Sequence, residues 1–320
     1  MSKFVIKKLF DFSIAEAFLN NNFSSPTHWP EWNILISKYY NTKFFYFIAY
    51  KKNELIGICP VHKTDNGTLK TLHSGQFHFI PNGGWIFSEE TEVTEQFYPI
   101  PATQMFQGFS LPLIDQFNAT YNFKNLKKFQ TLIIDLDKDL DNIWKEDLNS
   151  KRRNMIRKAE KSGVEVVSYN KSNLQLFYKY YEQANKRNNL QIQPFNFFRE
   201  LFTANKNIDF DILAAYQNGN ILNFVVTVSD KNYSFYWLGI TNNHAPNLGQ
   251  GALLQWEAIQ RSKKHGCRYY DLCYIEKEKL PHIYKFKKDF SKTEVPIIFH
   301  AKKTIVYTVL NKILRNTKLK

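Results

Sequence analysis

The order of periodic segments in the second half of the chain constrains the fold more than any other feature of this sequence. Two helical stretches, Leu140–Ser162 and Asn173–Asn188, precede a set of strand-like runs. A glycine-bearing turn at Asn247–Gly251 then opens a long amphipathic helix, and Arg268–Cys273 has the composition of a strand. The earlier strand-like runs are Asp211–Gln217, Ile221–Ser229 and Asn232–Gly239. Since a tight Asn-Gly-Asn turn joins the first two runs, we predict an antiparallel sheet packed against helices.

The first half of the chain carries a weaker version of this pattern, with two helical segments followed by a hairpin and further strands. Within it, Phe97–Phe109 is predicted to be helical. The recurrence of one pattern in both halves predicts two similar units in tandem. The predicted fold class is mixed α/β (α+β), in which each unit is a mixed, mostly antiparallel sheet flanked by helices.

The composition predicts a folded chain, and the sequence shows the features of neither a membrane-spanning nor a secreted protein. The 320 residues are 43% hydrophobic, which is enough to bury a substantial core. We expect no transmembrane segment, because no run of 18 apolar residues occurs, and no signal peptide at the amino terminus. Cys59, Cys267 and Cys273 form no C-x-x-C pair and are expected to be reduced core thiols, which favours a cytoplasmic setting.

The formal net charge of +14 is confined to the second half of the chain. Residues 1–140 hold 13 Lys, no Arg and 13 acidic residues, whereas residues 141–320 hold 30 basic and 16 acidic residues. This asymmetry predicts that the second half meets an anionic partner, which could be nucleic acid, a phosphorylated metabolite or a membrane surface.

The segment 149–166 concentrates six Lys or Arg residues in eleven positions. On a helical wheel, Met155, Ile156 and Ala159 define an apolar arc, and Arg152 lies inside that arc, about 60° from Met155. The other basic residues lie mostly on the opposite side. The wheel therefore predicts that Arg152 alone turns toward the protein interior or a cleft.

An inward guanidinium requires an anionic partner, because an unpaired buried charge is costly. Ser150 is a good N-cap candidate, which places Arg152 in a first helical turn that favours phosphate through free N–H groups and the helix dipole. Two alternatives stay open for Arg152: a bound phosphate, or an internal salt bridge to a carboxylate. For Arg153 and the remaining basic residues of this segment, a solvated face is the simpler expectation.

Two later stretches contain candidate site residues. The turn of Gly249, Gln250 and Gly251 directly precedes a helix, where glycine lets the backbone approach a ligand, although a plain loop-to-helix turn explains it equally well. Further on, Phe286 is expected to pack inward with Lys287 beside it. A lysine at the edge of a pocket can stabilise negative charge on a carbonyl oxygen during acyl transfer.

The sequence motifs of metal sites, serine hydrolases and nucleotide-binding loops are absent from this sequence. The eight histidines form no H-E-x-x-H or H-x-H pair, so no metal site is predicted. Neither G-x-S-x-G nor a Walker A sequence is present, and no bound cofactor is expected.

Taken in order, the segments KRRNMIRKAEKSGVEV, GALLQWEAIQRSKKHGCRYYDL and YKFKKDF resemble the Fem-type, FemAB-like branch of the GNAT acyltransferase superfamily. The resemblance covers residues 130–292, and more loosely residues 25–110, where SPTHWPEW is similar to the family's tryptophan-bearing helix. It implies two tandem GNAT-like domains, at residues 1–128 and 129–300. A basic terminal helix at 301–320 could dock back on the first domain.

The same resemblance implies roles for individual residues. Arg152, with Arg153 as the alternative, matches the arginine that binds the phosphate of a nucleotide- or lipid-linked precursor. Phe286 and Lys287 match a Phe-Lys pair near the reacting carbonyl, in which Lys287 is the electrostatic stabiliser.

The resemblance identifies the loop that binds the acyl donor and the general base less clearly. The turn of Gly249, Gln250 and Gly251 matches the loop on the donor side. No acid or histidine stands out as the general base, and Asp271, with its neighbour Tyr270, is the candidate on the strand before the lysine segment.

The activity implied is transfer of an acyl or aminoacyl group to an amine of a phosphate-linked cell-envelope precursor, either a peptidoglycan peptide or an amino sugar of a surface polysaccharide. The co-substrate is acyl-CoA or aminoacyl-tRNA. Pro246 replaces the Arg or Gln typical of the coenzyme A loop, which favours aminoacyl-tRNA or another carrier over acetyl-CoA, and Ser291 replaces a frequent Gly. The chain is too short for the inserted helical hairpin that grips tRNA in some members, which favours acyl-CoA.

A non-catalytic GNAT-like module that binds tRNA or an anionic membrane surface is the alternative function. The segment 301–320 supports a peripheral contact at the inner face of the membrane, because it holds six basic residues, no acidic residue and an apolar stripe. The stripe comprises Ile305, Val306, Val309, Leu310, Ile313 and Leu314. A helix docked on the core, with a frayed basic tail, is the simpler interpretation.

Overall fold

The computed structural model describes residues 4–66, 69–75, 80–203, 206–274 and 276–317. In these ranges the strands are β1 (Val5–Leu9), β2 (Lys43–Lys51), β3 (Glu54–Asn66), β4 (Leu69–Ser74), β5 (Ile86–Phe87), β6 (Thr91–Val93), β7 (Gln104–Phe109), β8 (Ala119–Tyr121), β9 (Leu126–Asp135), β10 (Glu165–Tyr169), β11 (Asp209–Gln217), β12 (Asn220–Ser229), β13 (Tyr233–Thr241), β14 (Tyr269–Asp271) and β15 (Thr293–Lys303). The α-helices are α1 (Phe12–Asn21), α2 (Pro30–Tyr40), α3 (Leu140–Asn142), α4 (Ser150–Lys161), α5 (Leu174–Arg187), α6 (Phe195–Leu201), α7 (Gln250–Lys264), α8 (Pro281–Lys288) and α9 (Ile305–Thr317). None of the described helices is long and apolar enough to cross a membrane.

The chain divides into two compact units. Unit 1 comprises Met1–Gln130 together with Val295–Lys320, and unit 2 comprises Thr131–Glu294. Unit 2 is therefore inserted, in chain order, between the two parts of unit 1.

Unit 1 is built on a sheet in the order β1-β2-β3-β4-β7-β15, with β5 paired to β3 and a separate pair formed by β6 and β8. Its core is dominated by aromatic side chains: Phe45, Phe47, Trp85, Phe87, Phe97, Tyr98 and Phe106. The prediction of a helix at Phe97–Phe109 is wrong. Glu95–Phe97 is a single 3₁₀ turn, and β7 starts at Gln104, because Pro99 and Pro101 interrupt any helix and β7 pairs with both β4 and β15.

Unit 2 is built on a sheet in the order β9-β14-β13-β12-β11-β10. Its three predicted antiparallel strands are confirmed as β11, β12 and β13, and the long helix after the glycine turn is confirmed as α7. Helices α4 and α7 share one core cluster with the sheet. The predicted fold class, mixed α/β with mostly antiparallel sheets flanked by helices, is confirmed.

The parallel pairing of β13 with β14 in the sheet of unit 2 is short, and the two strands separate after it. It covers three residue pairs and ends where Phe235 lies opposite Asp271. One residue later β13 has a bulge against β12, since Thr227 pairs with Tyr236 whereas Val226 pairs with Leu238. A bulge bends a strand and increases its twist, so the second half of β13 leaves the line of β14.

Candidate active site

The start of α4 is fixed by Asn149, not by Ser150 as the sequence suggested. The Asn149 side-chain oxygen accepts a hydrogen bond of 2.9 Å from the Arg152 backbone N–H, and Leu148 before it is extended. Asn149 also donates its backbone N–H to the Asp289 carbonyl oxygen at 3.0 Å and its Nδ2 to the Asp289 carboxylate. The first turn of α4 is therefore tied to the end of α8.

Arg152 turns inward, which confirms the argument from the helical wheel. Its side chain is 12% exposed, and its Nη2 lies 3.0 Å from Oδ2 of Asp289. The guanidinium also lies over the ring of Phe286, 4.4 Å from its centroid, and near Phe290. Of the two alternatives for Arg152, the internal salt bridge is present in this structure.

The salt bridge leaves part of the Arg152 guanidinium available. Burial lowers the pKa of Arg152, and the charge of Asp289 opposes that shift. Its Nε is buried and has no hydrogen-bond partner among the residues that the structure describes. A buried donor without a partner is costly, so this atom is suited to meet an acceptor on a ligand.

Arg152 and the glycine turn line one cleft of about 300 Å³, all of whose lining residues belong to unit 2. The cleft lies at the N-terminus of α7, where the first hydrogen bonds of the helix run from the N–H groups of Ala252 and Leu253 to the Gly249 carbonyl oxygen, so the N–H groups of Gln250 and Gly251 precede the bonded helix. Its lining comprises Arg152, Met155, Asn223, Thr241, Ala245, Asn247, Gly249, Gln250, Gly251, Ala252 and Phe286.

The three residues of the turn have different functions in the structure. Gly249 has a φ of +93°, and a Cβ there would stand 2.1 Å from the Met155 carbonyl oxygen, so glycine is needed for the close approach of α7 to α4. Gln250 is buried and holds the loop, donating from Nε2 to the Pro246 carbonyl and accepting from the Leu248 N–H. Gly251 faces space, because the nearest atom to an added Cβ is 3.7 Å away.

Two exposed cations that the sequence did not single out as site residues lie at the rim of the cleft. Lys158 donates from Nζ to the Asn247 carbonyl oxygen at 2.8 Å. Arg187, at the end of α5, donates from Nη2 to the Thr241 carbonyl oxygen at 3.4 Å. Asn247 and Thr241 both line the cleft, so positive charge stands on two of its edges.

Asn223 is a further polar residue of the cleft that sequence reasoning missed. Its Nδ2 donates to Oγ1 of Thr241 at 3.2 Å, and its Oδ1 is buried without a hydrogen-bond partner in the described part of the chain. An asparagine inside the apolar run of β12 was the available signal, because amides are depleted in strands.

Arg153 has a local structural function. Its Nη1 donates to the carbonyl oxygens of Trp144 and Lys145 at 3.2 Å each, and to that of Leu148. These carbonyls belong to the end of a π-helical turn, Ile143–Asp147, and to the break after it. Arg153 therefore caps the preceding turn, and it does not line the cleft.

Lys287 lies next to Phe286 on α8 but faces a buried cluster. It is 6% exposed, and its Nζ donates to the Cys273 carbonyl oxygen at 3.0 Å and lies 5.5 Å from the ring centroid of Tyr236. Burial lowers the pKa of Lys287, and the neighbouring Cys273 and Asp271 oppose the shift. Cys273 has a φ of +60°, an uncommon backbone conformation for a residue other than glycine.

Asp271, at the end of β14, is sealed within this cluster. It is 1% exposed, and its Oδ1 accepts from Thr131 Oγ1 at 2.6 Å and from the Cys273 N–H at 2.8 Å. Its Oδ2 accepts from the Tyr233 hydroxyl at 2.8 Å. Burial raises the pKa of Asp271, and these hydrogen bonds and the charge of Lys287 lower it. The geometry suits a residue that fixes the Cys273 backbone, and through it Lys287.

No group of three or more His, Cys, Asp or Glu side chains that could hold a metal ion occurs in the ranges described above.

Comparison with known proteins agrees with this geometry. Residues 150–287 match the family model of the GNAT acetyltransferase domain. FemX is similar in structure, with a TM-score of 0.69, 10% identity and coverage of 95% of this chain and 99% of that chain. The C-terminal domain of a putative lysylphosphatidylglycerol synthetase from Agrobacterium fabrum has a TM-score of 0.55 at 11% identity, with coverage of 95% of this chain and 94% of that chain.

The L-PGS of Bacillus licheniformis is also similar, with a TM-score of 0.53, 12% identity and coverage of 92% of both chains. No curated protein matches the sequence. Because identities this low establish the fold alone, the resemblance drawn from the motifs is confirmed at that level: residues 150–287 match the GNAT acetyltransferase domain model, and the chain shares the fold of FemX.

Proposed function

We propose that the cleft of unit 2 catalyses transfer of an acyl or aminoacyl group to an amine of a phosphate-linked cell-envelope precursor. The observation that carries this proposal is that one cleft of the GNAT domain joins the open N-terminal turn of α7 to Arg152. Phe286 lines the same cleft, and Lys287 follows it directly on α8.

In the proposed reaction the amine attacks the carbonyl carbon of the donor. A C–N bond forms, negative charge develops on the carbonyl oxygen, and the C–S bond of a thioester or the C–O bond of an aminoacyl ester breaks. The leaving thiolate or alkoxide takes up the proton that the amine loses, so an amide and a free thiol or hydroxyl are the products.

Lys287 stabilises the developing oxyanion in this proposal. Its ammonium group is already buried, so it interacts strongly with negative charge that develops beside it. In the resting structure it is held by the Cys273 carbonyl oxygen, which Asp271 fixes in place. Asp271 acts here as a positioning residue.

The acceptor's phosphate binds at Arg152 in the proposal. Nε of Arg152 lacks a partner among the described residues, and the guanidinium lies over the aromatic ring of Phe286. Lys158 and Arg187 add positive charge at the rim, which suits an acceptor with more than one phosphate. Arg153 adds to the positive electrostatic potential but does not contact the acceptor, because its guanidinium caps a helical turn.

The rim cations are tested by neutral substitutions. The double variant Lys158→Gln with Arg187→Gln is expected to raise KM for a phosphorylated acceptor about tenfold and to leave kcat unchanged. The reason is that these cations bind the acceptor equally well in the ground state and in the transition state. Lys161→Gln, on the exposed side of α4, is the matched control. Unchanged KM in the double variant would remove these cations from the site.

The donor is acyl-CoA or aminoacyl-tRNA, and the cytoplasm holds both. The C-terminal domain of a putative lysylphosphatidylglycerol synthetase shares the fold, and its name supports an aminoacyl group as the group transferred and a phosphate-bearing lipid among the acceptors to test. Cys59 and Cys267 are free and buried and Cys273 is free and partly buried, which is compatible with a reducing compartment.

The decisive experiment measures product by mass spectrometry. The protein is incubated with acetyl-CoA, other acyl-CoAs or aminoacyl-tRNAs, each with amino-sugar and peptide acceptors bearing phosphate. Lys287→Met, which keeps the side-chain volume, should lower turnover at least a hundredfold. Lys285→Met, an exposed lysine of the same helix, should leave turnover unchanged. Equal loss in both variants would refute the role of Lys287.

The same experiment separates the enzyme from a binding module. Arg152 is already paired with Asp289, so a phosphate must share this guanidinium with the carboxylate in either function, and only product formation distinguishes the two. Retention of tRNA or phosphorylated acceptor without product from any donor would support that module and refute the transferase.

A further inference from the structure

The apolar stripe of the carboxyl-terminal helix is divided between the core of unit 1 and solvent. Tyr307 is buried and, with Leu310, packs against Leu69 and Met105. On the wheel these two residues lie about 60° apart on one side of α9. The docked side of α9 is therefore narrow.

A second apolar side of α9 faces solvent. Ile305 is 84% exposed, Val306 is 43% exposed and Val309 is 53% exposed. They span about 100° of the wheel, and Ile313, also exposed, lies in the same arc. We call this set, Ile305, Val306, Val309 and Ile313, the outer stripe. Large aliphatic side chains at such exposure, on adjacent turns, mark an interaction surface.

The charge around the outer stripe has one sign. Lys303 and Lys312 are exposed, and Lys312 lies about 20° from Ile305 on the wheel. From residue 295 onward the sequence has six Lys or Arg residues and no Asp or Glu. An aliphatic stripe in a segment whose charged residues are all cations is complementary to a surface that is apolar inside and anionic at its edge.

We propose that the outer stripe of α9 binds the surface of an anionic lipid bilayer. Self-association through this stripe is disfavoured, because a two-fold contact would set the same lysines of two copies against each other. Nucleic acid is disfavoured as well, since the stripe offers no aromatic ring on which bases could stack. The inference goes beyond the proposed reaction and does not depend on it.

Flotation with vesicles tests the proposal on the full chain. The protein should float with vesicles of phosphatidylglycerol and phosphatidylcholine, and at least tenfold less with phosphatidylcholine alone. Ile305→Gln with Val309→Gln should weaken binding to the anionic vesicles at least tenfold. Lys303→Gln with Lys312→Gln should weaken it about thirtyfold and reduce its salt dependence.

A matched control uses exposed aliphatic residues of unit 1 away from α9. Val5 and Ile34 are 48% and 47% exposed, and Val5→Gln with Ile34→Gln should bind vesicles as the unaltered protein does. Equal thermal unfolding of all variants excludes misfolding as the cause. Failure of the unaltered protein to float, or equal floating of the outer-stripe variant, would overturn the proposal. Dissociation of a dimer by that variant, without vesicle binding, would overturn it in favour of self-association.

Discussion

The two glycines before α7 should respond to alanine with opposite changes in stability. At Gly249, alanine must adopt a φ of +93°, which costs about 1–2 kcal/mol. Its Cβ would also stand 2.1 Å from the Met155 carbonyl oxygen and 2.9 Å from the carbonyl carbon, both of them backbone atoms. Helix α4 must move away from α7 by about 1 Å, an overpacking that costs about 1–3 kcal/mol. Gly249→Ala should therefore lower the free energy of unfolding by about 2–5 kcal/mol.

Gly251→Ala provides the matched comparison two residues further on. Its backbone has ordinary dihedral angles for a first helical turn, and the added methyl would meet only Asn223 Nδ2, at 3.7 Å. Alanine restricts the unfolded chain and favours the helix, so the free energy of unfolding should rise by about 0.5–1 kcal/mol. Urea unfolding of both variants measures the two signs. A Gly249→Ala variant within about 0.5 kcal/mol of the unaltered protein would refute the steric reasoning.

The same pair separates structure from function. If the donor approaches the backbone at Gly251, the methyl of alanine stands in its way, and kcat/KM for the donor should fall at least about tenfold, or 1.4 kcal/mol, in a more stable protein. Unchanged kcat/KM in Gly251→Ala would show that the donor does not contact this turn, whatever its identity.

Two further outcomes follow from buried charges. Asp289→Asn leaves the Arg152 guanidinium buried without its counter-ion and should lower the free energy of unfolding by about 3 kcal/mol. Adding Arg152→Gln should restore part of that loss. If urea unfolding showed the two effects to be strictly additive, the pairing would be contradicted. Burial lowers the pKa of His28 to about 4 and that of His300 to about 3, so both are neutral in the folded state, and their stabilisation is complete above about pH 6.5 and is lost as the pH falls. Between about pH 7 and pH 5 the free energy of unfolding should drop by about 2 kcal/mol per histidine. His28→Gln and His300→Gln should each flatten this slope, and an unchanged slope would refute the assignment.

Local periodicity predicted the orientation of Arg152 but could not identify its partner. The wheel position follows from neighbouring residues within one helix, which is why the inward orientation is confirmed. Asp289 is far along the chain, on the end of α8, and only the tertiary fold brings it within 3.0 Å. The choice between phosphate and carboxylate was for this reason open in the sequence.

The errors in the sequence analysis arise where two local rules compete. Asn149 and Ser150 are both good N-caps, and the hydrogen bonds of Asn149 to Asp289 decide between them. Phe97–Phe109 was predicted to be helical despite two prolines, whereas strand pairing on both sides of β7 determined the structure. The rim cations could not be found from sequence, because Lys158 and Arg187 are ordinary exposed residues until α4 and α5 are placed beside the cleft.

The insertion of unit 2 within unit 1 has a consequence for synthesis on the ribosome. β15, which pairs with β7, follows the whole of unit 2 in the chain. Unit 2 can complete its sheet as soon as residue 294 has emerged, but unit 1 must wait with one edge of β7 unpaired. Exposed strand edges template aggregation, so the nascent chain is most vulnerable during this interval. Helix α9 follows β15 directly in the chain, so completion of the unit 1 sheet and display of the outer stripe come one after the other.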